Sequence, residues 1–145
     1  MRSNVWCSKL TNRKKDLRRV ATSTLKAEKN EKEWLIAGEA AIKLLRQWAS
    51  SSTWNYLNKL CLLEAEFYFY KGDEENALEK YDASIEAASS HRFIHEEGLA
   101  NQKAAGFHLY YGRKKEALFH FTRAKQCYEQ WGALALVRNI DKEIR

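Results

Sequence analysis

The chain has 145 residues, enough for one domain with its own hydrophobic core. Hydrophobic residues make up 45% and charged residues 30%, which is typical of a globular protein and excludes a disordered one. There is no proline, and Ala, Leu, Glu, Lys and Arg are abundant, so the composition predicts an all-α chain with short connections.

The net charge of +6 is concentrated at the N-terminus. Residues 1–29, called the basic arm below, hold nine Lys or Arg against two acids, whereas residues 30–145 hold sixteen against seventeen. We therefore predict two parts, a partly helical basic arm (1–29) and a helical domain (30–145). Because the helical domain is nearly neutral, the sequence argues against a domain that binds nucleic acid along its whole surface. The centre of the arm carries Arg13, Lys14, Lys15, Arg18 and Arg19.

The basic arm has two interpretations. It is either a solvated helix end without a function, or a contact to an acidic protein, an anionic membrane or nucleic acid. Its basic, acid-poor composition also resembles a transit peptide weakly, so targeting to an organelle stays open. No apolar run along the chain reaches the length that a membrane crossing needs, so we predict no transmembrane segment.

Apolar and small residues recur at spacings of three and four throughout the chain, which is the period of an amphipathic helix. Polar or glycine-containing breaks separate the stripes, so the pattern predicts about seven helices. The stripes run from Leu17 to Leu25, Leu35 to Ala49, Trp54 to Tyr68, Ala77 to Ala88, Ile94 to Leu109, Ala117 to Tyr128 and Leu136 to Ile144.

Residues 65–84 and 105–124 form an internal repeat with an offset of 40 residues. A fixed period of this size predicts stacked helical hairpins. The matched pairs are Ala65 with Ala105, Phe67 with Phe107, Tyr70 with Tyr110, Gly72 with Gly112, Ala77 with Ala117, Leu78 with Leu118, Tyr81 with Phe121 and Ser84 with Ala124.

The two copies differ in charge directly after the glycine. The first copy reads "GDEENA" after its first helix, and the second copy reads "GRKKEA". The same three positions are therefore acidic in one copy and basic in the other. A phosphate site would need the basic version, whereas a turn needs only polar residues. We therefore interpret Arg113, Lys114 and Lys115 as a variable polar turn.

This pattern resembles the tetratricopeptide repeat, in which a glycine turn is followed by Ala, an aromatic residue and a small residue. The resemblance implies antiparallel hairpins in a short right-handed solenoid whose groove binds a peptide of another protein. The offset of 40 exceeds that family's period of about 34, so longer helices are expected. The family's closing proline is absent from both copies.

Residues 48–140 are also similar to a helical segment of large signalling proteins. The quoted stretches are "WA" (48–49), "NKLCLLEAE" (58–66), "HEEGLANQKAAGFHLYYGRKKEAL" (95–118) and "AKQCYEQWGALALV" (124–137). They resemble the C-terminal helical part of the ATPase module in multi-sensor serine/threonine and histidine kinases. The resemblance implies a scaffold or regulatory segment, because the phosphate-loop and kinase motifs themselves are missing.

The sequence predicts no catalytic residue, cofactor or metal site. His91 and His95 are spaced four apart, but the H-E-x-x-H order and a third ligand are missing, so capping or solvent roles are favoured. Cys61 and Cys127 lie on apolar stripes and are expected to be core thiols. The three scattered cysteines form no disulfide framework, which favours a reducing, cytoplasmic setting.

The first hypothesis is therefore a non-enzymatic scaffold for protein–protein interaction, with signalling as its context. The alternative is an anionic-surface or nucleic-acid binder that acts through the basic arm. For the scaffold, we predict peptide contacts from the first helices of the hairpins, at Tyr68, Asn101, Gln102 and His108.

Overall fold

The structure, a computed structural model, describes the backbone of residues 28–145 and the side chains of residues 32–145. The helix predicted at residues 17–25 and the arm residues Arg13, Lys14, Lys15, Arg18 and Arg19 lie outside the described residues. Within the described part the chain is helical and contains no strand, which confirms the all-α class. The helices are α1 (Glu28–Ser51), α2 (Thr53–Lys71), α3 (Glu74–Ser90), α4 (Ile94–Tyr110), α5 (Lys114–Trp131) and α6 (Leu134–Ile144).

These six helices match the last six predicted stripes in number and order. The chain divides into two compact units, Met1–Ala41 and Ile42–Arg145, and the packing described below lies within the second. No helix between Glu28 and Ile144 has both the length and the hydropathy that a membrane span requires.

Helices α2 to α5 end in the same way, at intervals of 20 residues. A residue with positive φ follows each helix, directly at Gly72 (81°) and Gly132 (82°) and one position later at Arg92 (58°) and Gly112 (76°). At each end two backbone N–H groups donate to carbonyls of the last turn. The Gly72 N–H donates to the Phe69 carbonyl at 3.1 Å, and the N–H of the next residue donates to the Tyr68 carbonyl at 2.9 Å. The equivalent hydrogen bonds at the other three ends have the same lengths. This is the Schellman arrangement, which satisfies the carbonyls that a helix end leaves open.

Consecutive helices from α2 to α6 pack on each other, and two- or three-residue connections join them. Short connections between packed helices make antiparallel neighbours, so α2–α3 and α4–α5 are helical hairpins. Buried positions repeat at the offset of 40, because Ala65, Ala77 and Tyr81 are as inaccessible as their counterparts Ala105, Ala117 and Phe121.

The core is built from small residues around large aromatic ones. One cluster joins Ala65, Ala77 and Tyr81 of the first hairpin to Ala104 and Phe107 of the second. The alanines let the helix axes approach closely, and the rings fill the remaining space. A second cluster joins Ile42 and Ala49 of α1 to Leu60 of α2.

Candidate interaction surface

Two of the predicted peptide-contact residues are buried. Asn101 is 2% exposed and donates through its side-chain amide to the Glu97 carbonyl at 2.9 Å. Its Oδ1 lies 2.9 Å from Nδ1 of His120 on α5. His108 is 5% exposed, and its ring stacks on that of His120 with centroids 5.1 Å apart and planes 8° from parallel. The described contacts of both residues are therefore internal to the α4–α5 hairpin.

The other two predicted contacts are half-buried. The hydroxyl of Tyr128 donates to Gln102 Oε1 at 2.9 Å, which ties α5 to α4. Tyr68 packs at the edge of the main hydrophobic cluster. Peptide binding by these four residues stays a prediction, and for Tyr68 and Gln102 it requires only the part of each side chain that solvent reaches.

Burial lowers the pKa of both stacked histidines. The pKa of His120 falls to about 4 because its ring is desolvated, and the His108 ring adds to this. Burial also lowers the pKa of His108, while Glu116 and Asp82 raise it in part. The pair is therefore neutral at pH 7, because burial disfavours the charged form of each ring.

The basic turn after α4 is engaged within the fold. The Arg113 guanidinium forms an ion pair with Glu74 at the start of α3 and lies over the rings of Phe107 and Tyr111, 5.6 and 5.4 Å from their centroids. At the equivalent place in the first hairpin, Asp73 Oδ1 accepts a hydrogen bond from the Asn76 N–H and caps α3. These contacts agree with a polar turn.

His91 and His95 do not face a common ligand position. His91 lies edge-on to Trp54, with ring centroids 5.4 Å apart, whereas His95 lies 5.1 Å from Trp131. No group of three metal-ligating side chains occurs in the part of the chain that the structure describes. Each histidine instead supports an exposed tryptophan.

These contacts form an aromatic surface at one end of the hairpins. Trp54 and Trp131 are 55% and 54% exposed. Phe93, in the connection between α3 and α4, lies 5.9 Å from Trp54. We call this surface the tryptophan edge and define it as Trp54, His91, Phe93, His95 and Trp131.

A polar network holds the middle of the tryptophan edge. Lys59 lies over the Phe93 ring at 5.6 Å and forms an ion pair with Glu96 at 2.7 Å. The buried Asn58 donates to the other oxygen of Glu96. These contacts join α2 to α4 beside Phe93.

The tryptophan edge was not predicted, although the sequence holds a signal for it. At the offset of 40, Trp54 corresponds to Ile94 and Leu134, and His91 corresponds to Trp131. Large side chains thus recur at the same end of each hairpin, and this repetition marks that end as a candidate surface. Periodicity within one helix could not reveal it, because the five residues come from three helices and a connection.

The cysteines and acidic residues have structural roles in the described part. Burial raises the pKa of the Cys61 and Cys127 thiols, so both are weak nucleophiles at pH 7. The buried Glu64 accepts from Arg46 and Lys80, and Glu97 pairs with Arg123 at 3.2 Å.

The chain matches no family model, no curated protein and no solved structure.

Proposed function

We propose that the protein is a non-enzymatic interaction scaffold whose stacked helical hairpins present the tryptophan edge to another protein. The observation that carries the proposal is the exposure of Trp54 and Trp131 at the same end of the hairpins. Tryptophan is enriched among the residues that dominate binding energy in protein interfaces. Exposing two such rings costs hydrophobic free energy, and a partner that covers them recovers it.

The chemistry of the edge selects the kind of partner. Its rings offer flat apolar contact area, and Lys59 stands beside them already paired with Glu96. A peptide segment with apolar side chains fits such a surface. Its backbone groups can still form hydrogen bonds to water or to the ring nitrogens of His91 and His95. We propose that Tyr68 and Gln102 contact the same partner in a groove between the hairpins.

The tetratricopeptide-like stack and the origin in a signalling kinase belong to this proposal. Support for the stack comes from the offset of 40 residues, which holds for helix ends and buried positions as well as for the sequence. The proposed kinase origin rests on the resemblance of residues 48–140 alone. A cytoplasmic setting is proposed with it, supported by the buried free thiols.

The proposal is tested by comparing captured proteins between matched variants of the full chain. The double variant Trp54→Ser, Trp131→Ser removes both exposed rings, and Leu118→Ser, Phe119→Ser removes exposed apolar side chains of α5 as a control. Loss of an interface hot spot weakens binding by roughly 30-fold or more. We expect specific proteins to be captured by the wild type and the control but not by the edge variant. Equal capture by all three overturns the proposal.

The second candidate is binding of the basic arm to an anionic surface or nucleic acid, favoured by the charge of residues 1–29. Phosphate contacts release counterions, so the affinity must fall steeply as salt rises. A salt titration with vesicles of anionic phospholipid and with double-stranded DNA decides this. A flat response, or equal binding after Arg13, Lys14, Lys15, Arg18 and Arg19 are changed to Gln, excludes the arm as the binding element.

A further inference from the structure

Arg92, in the connection between α3 and α4, has a backbone conformation that favours glycine. Its φ is 58°, whereas the equivalent residue at the ends of α2, α4 and α5 is a glycine with φ between 76° and 82°. The Arg92 N–H donates to the Ser89 carbonyl at 3.1 Å. The Phe93 N–H donates to the Ala88 carbonyl at 2.9 Å, and both lengths equal those at the glycine ends. The backbone alone therefore forms this turn, and glycine would form it with less strain.

Three aromatic side chains form a cluster at this turn. The centroid of the Trp54 ring lies 5.4 Å from that of His91 and 5.9 Å from that of Phe93. The centroids of the His91 and Phe93 rings are 6.1 Å apart. Arg92 stands between these two residues in the chain and is exposed, and Trp54 is 55% exposed. A partner that covers the Trp54 indole therefore comes within reach of the Arg92 side chain.

The charged groups at this cluster differ in how far they are paired. The Lys59 ammonium lies over the Phe93 ring but already forms an ion pair with Glu96 at 2.7 Å. The other oxygen of the Glu96 carboxylate accepts from Asn58. The Arg92 guanidinium, in contrast, has no hydrogen bond or ion pair with any residue that the structure describes. Within that part of the chain the cluster thus offers a free cation and no free carboxylate, which favours a partner that supplies negative charge.

We propose that Arg92 determines which peptide binds, by pairing with a carboxylate next to the apolar side chain that packs on Trp54. This inference rests on the proposed function and names the chemistry of the partner: a peptide segment in which Asp or Glu neighbours an aromatic or aliphatic residue. A guanidinium suits this contact, because it can bind a carboxylate through two parallel N–H groups and keeps its charge at all physiological pH values. Binding, rather than folding, then accounts for an arginine in a conformation that favours glycine.

The test selects peptides from a phage-displayed random library on the full chain and on its Arg92→Glu variant. We expect the wild type to enrich peptides with Asp or Glu beside an apolar residue, and Arg92→Glu to enrich Lys or Arg at that place. One synthetic peptide selected by the wild type then serves as the probe for fluorescence anisotropy. Arg92→Gln should weaken its binding about fivefold, the upper end for a partly exposed ion pair. Changing the acid of the peptide to its amide should add little to that loss.

Two variants separate lost contact from lost charge or lost fold. Lys115→Gln removes an exposed cation where α5 begins, at the opposite end of the hairpins, and should leave peptide binding unchanged. Arg92→Gly should weaken binding as much as Arg92→Gln does, with a melting temperature no lower than that of the wild type. Equal weakening by Lys115→Gln would assign the effect to net charge and overturn the inference.

The outcome of the selection also separates this inference from the proposed function. Peptides whose binding requires Trp54 but that carry no acid overturn the inference and leave the proposed function intact. The same holds for acidic peptides that bind Arg92→Gln as tightly as the wild type. If the wild type enriches no peptide whose binding Trp54→Ser weakens, the proposed function fails, and the role of Arg92 fails with it.

Discussion

The α2–α3 and α4–α5 hairpins bury equivalent positions but fill them with different polar groups. In the first hairpin the carboxylate of Glu64, 4% exposed, pairs with Lys80 at 3.0 Å and with Arg46 at 2.6 Å. At the offset of 40 the second hairpin has Ala104 in place of Glu64 and His120 in place of Lys80. There the polar layer is the His108–His120 stack with its bond to Asn101.

The two hairpins also divide volume differently at one contact between their helices. The first has Asn58 on α2 and Ala88 on α3, whereas the second has Gly98 on α4 and Tyr128 on α5. A Cβ on Gly98 would lie 2.8 Å from Tyr128 Cε1, so the glycine makes room for the ring. The repeat thus preserves helix ends and buried positions, and each hairpin fills those positions with its own pair of residues.

The largest expected effect comes from breaking the ion pair of the first hairpin. Glu64→Ala gives α2 the residue that α4 has, and leaves Lys80 and Arg46 without their shared acceptor. Removing one partner of a fully buried pair costs about 3–5 kcal/mol, and we expect about 3 because both cations reach solvent. Chemical denaturation measures the loss in unfolding free energy.

The control for that variant is Glu79→Ala, which removes an exposed carboxylate of α3 and should change stability by less than about 0.5 kcal/mol. In the Glu64→Ala background, Lys80→Met should cost less than it does alone, because the stranded ammonium is gone. Additive losses in this cycle would show that the Glu64–Lys80 pair contributes nothing.

The second effect is a pH dependence that originates in the second hairpin. Because the folded pKa of His120 is lowered to about 4, the unfolded chain takes up a proton first as pH falls below about 6.5. Stability is therefore full above that range and is lost as pH falls towards 4. We expect a loss of about 2 kcal/mol, less than the full shift implies, because the ring is partly exposed.

The matched variant is His120→Gln, whose amide can still donate to Asn101 but does not titrate. Denaturation curves from pH 7.5 to 4.5 should be flatter for the variant than for the wild type. Carboxylates titrate in both proteins, so the difference between the two curves is the measured quantity. An identical slope would locate the acid sensitivity elsewhere.

The third effect tests the volume exchange at Gly98. Alanine in a helix interior is ordinarily favoured over glycine by up to about 1 kcal/mol, but here the methyl group meets a buried ring whose hydroxyl is held by Gln102. We expect Gly98→Ala to lower the melting temperature, at a cost of about 1–2 kcal/mol.

Gly106 on the same helix is the matched control. An added Cβ there meets nothing within 4 Å, so Gly106→Ala should stabilise by about 0.5–1 kcal/mol. Replacing Tyr128 by Ala in the Gly98→Ala protein should relieve the overlap. The second hairpin then has alanine at the position that Ala88 occupies in the first. If Gly98→Ala and Gly106→Ala lower the stability equally, the contact with Tyr128 is not the cause of the loss.

The smallest effect concerns the one end among helices α2 to α5 that lacks glycine. Arg92 has φ 58°, where the three equivalent residues are glycines. Arg92→Gly relieves the left-handed strain but adds entropy to the unfolded chain, so we expect a net gain of about 0.5 kcal/mol. Gly112→Ala should lose about 1 kcal/mol. A loss for Arg92→Gly would mean that the arginine side chain stabilises the turn.

The sequence predicted the described helices and the turn at Gly72 and Gly112 well, because helical periodicity and left-handed glycine are local signals. It predicted the break between Ala88 and Ile94 but not the left-handed conformation of Arg92, which the hydrogen bonds to the Ser89 and Ala88 carbonyls hold rather than the arginine's own preference. The candidate residues Asn101 and His108 were placed on the correct helix, but their burial depends on α5, which contributes His120.

The amino-acid sequence by itself determined where helices run, where they stop and the offset of 40 that relates the hairpins. These features follow from the order of residues along one chain segment. Only the tertiary structure decided that the buried Glu64 pairs with Lys80, that His108 stacks on His120, and that His95 packs on Trp131. Each of those pairings joins residues from different helices, and packing between helices sets which side chains meet.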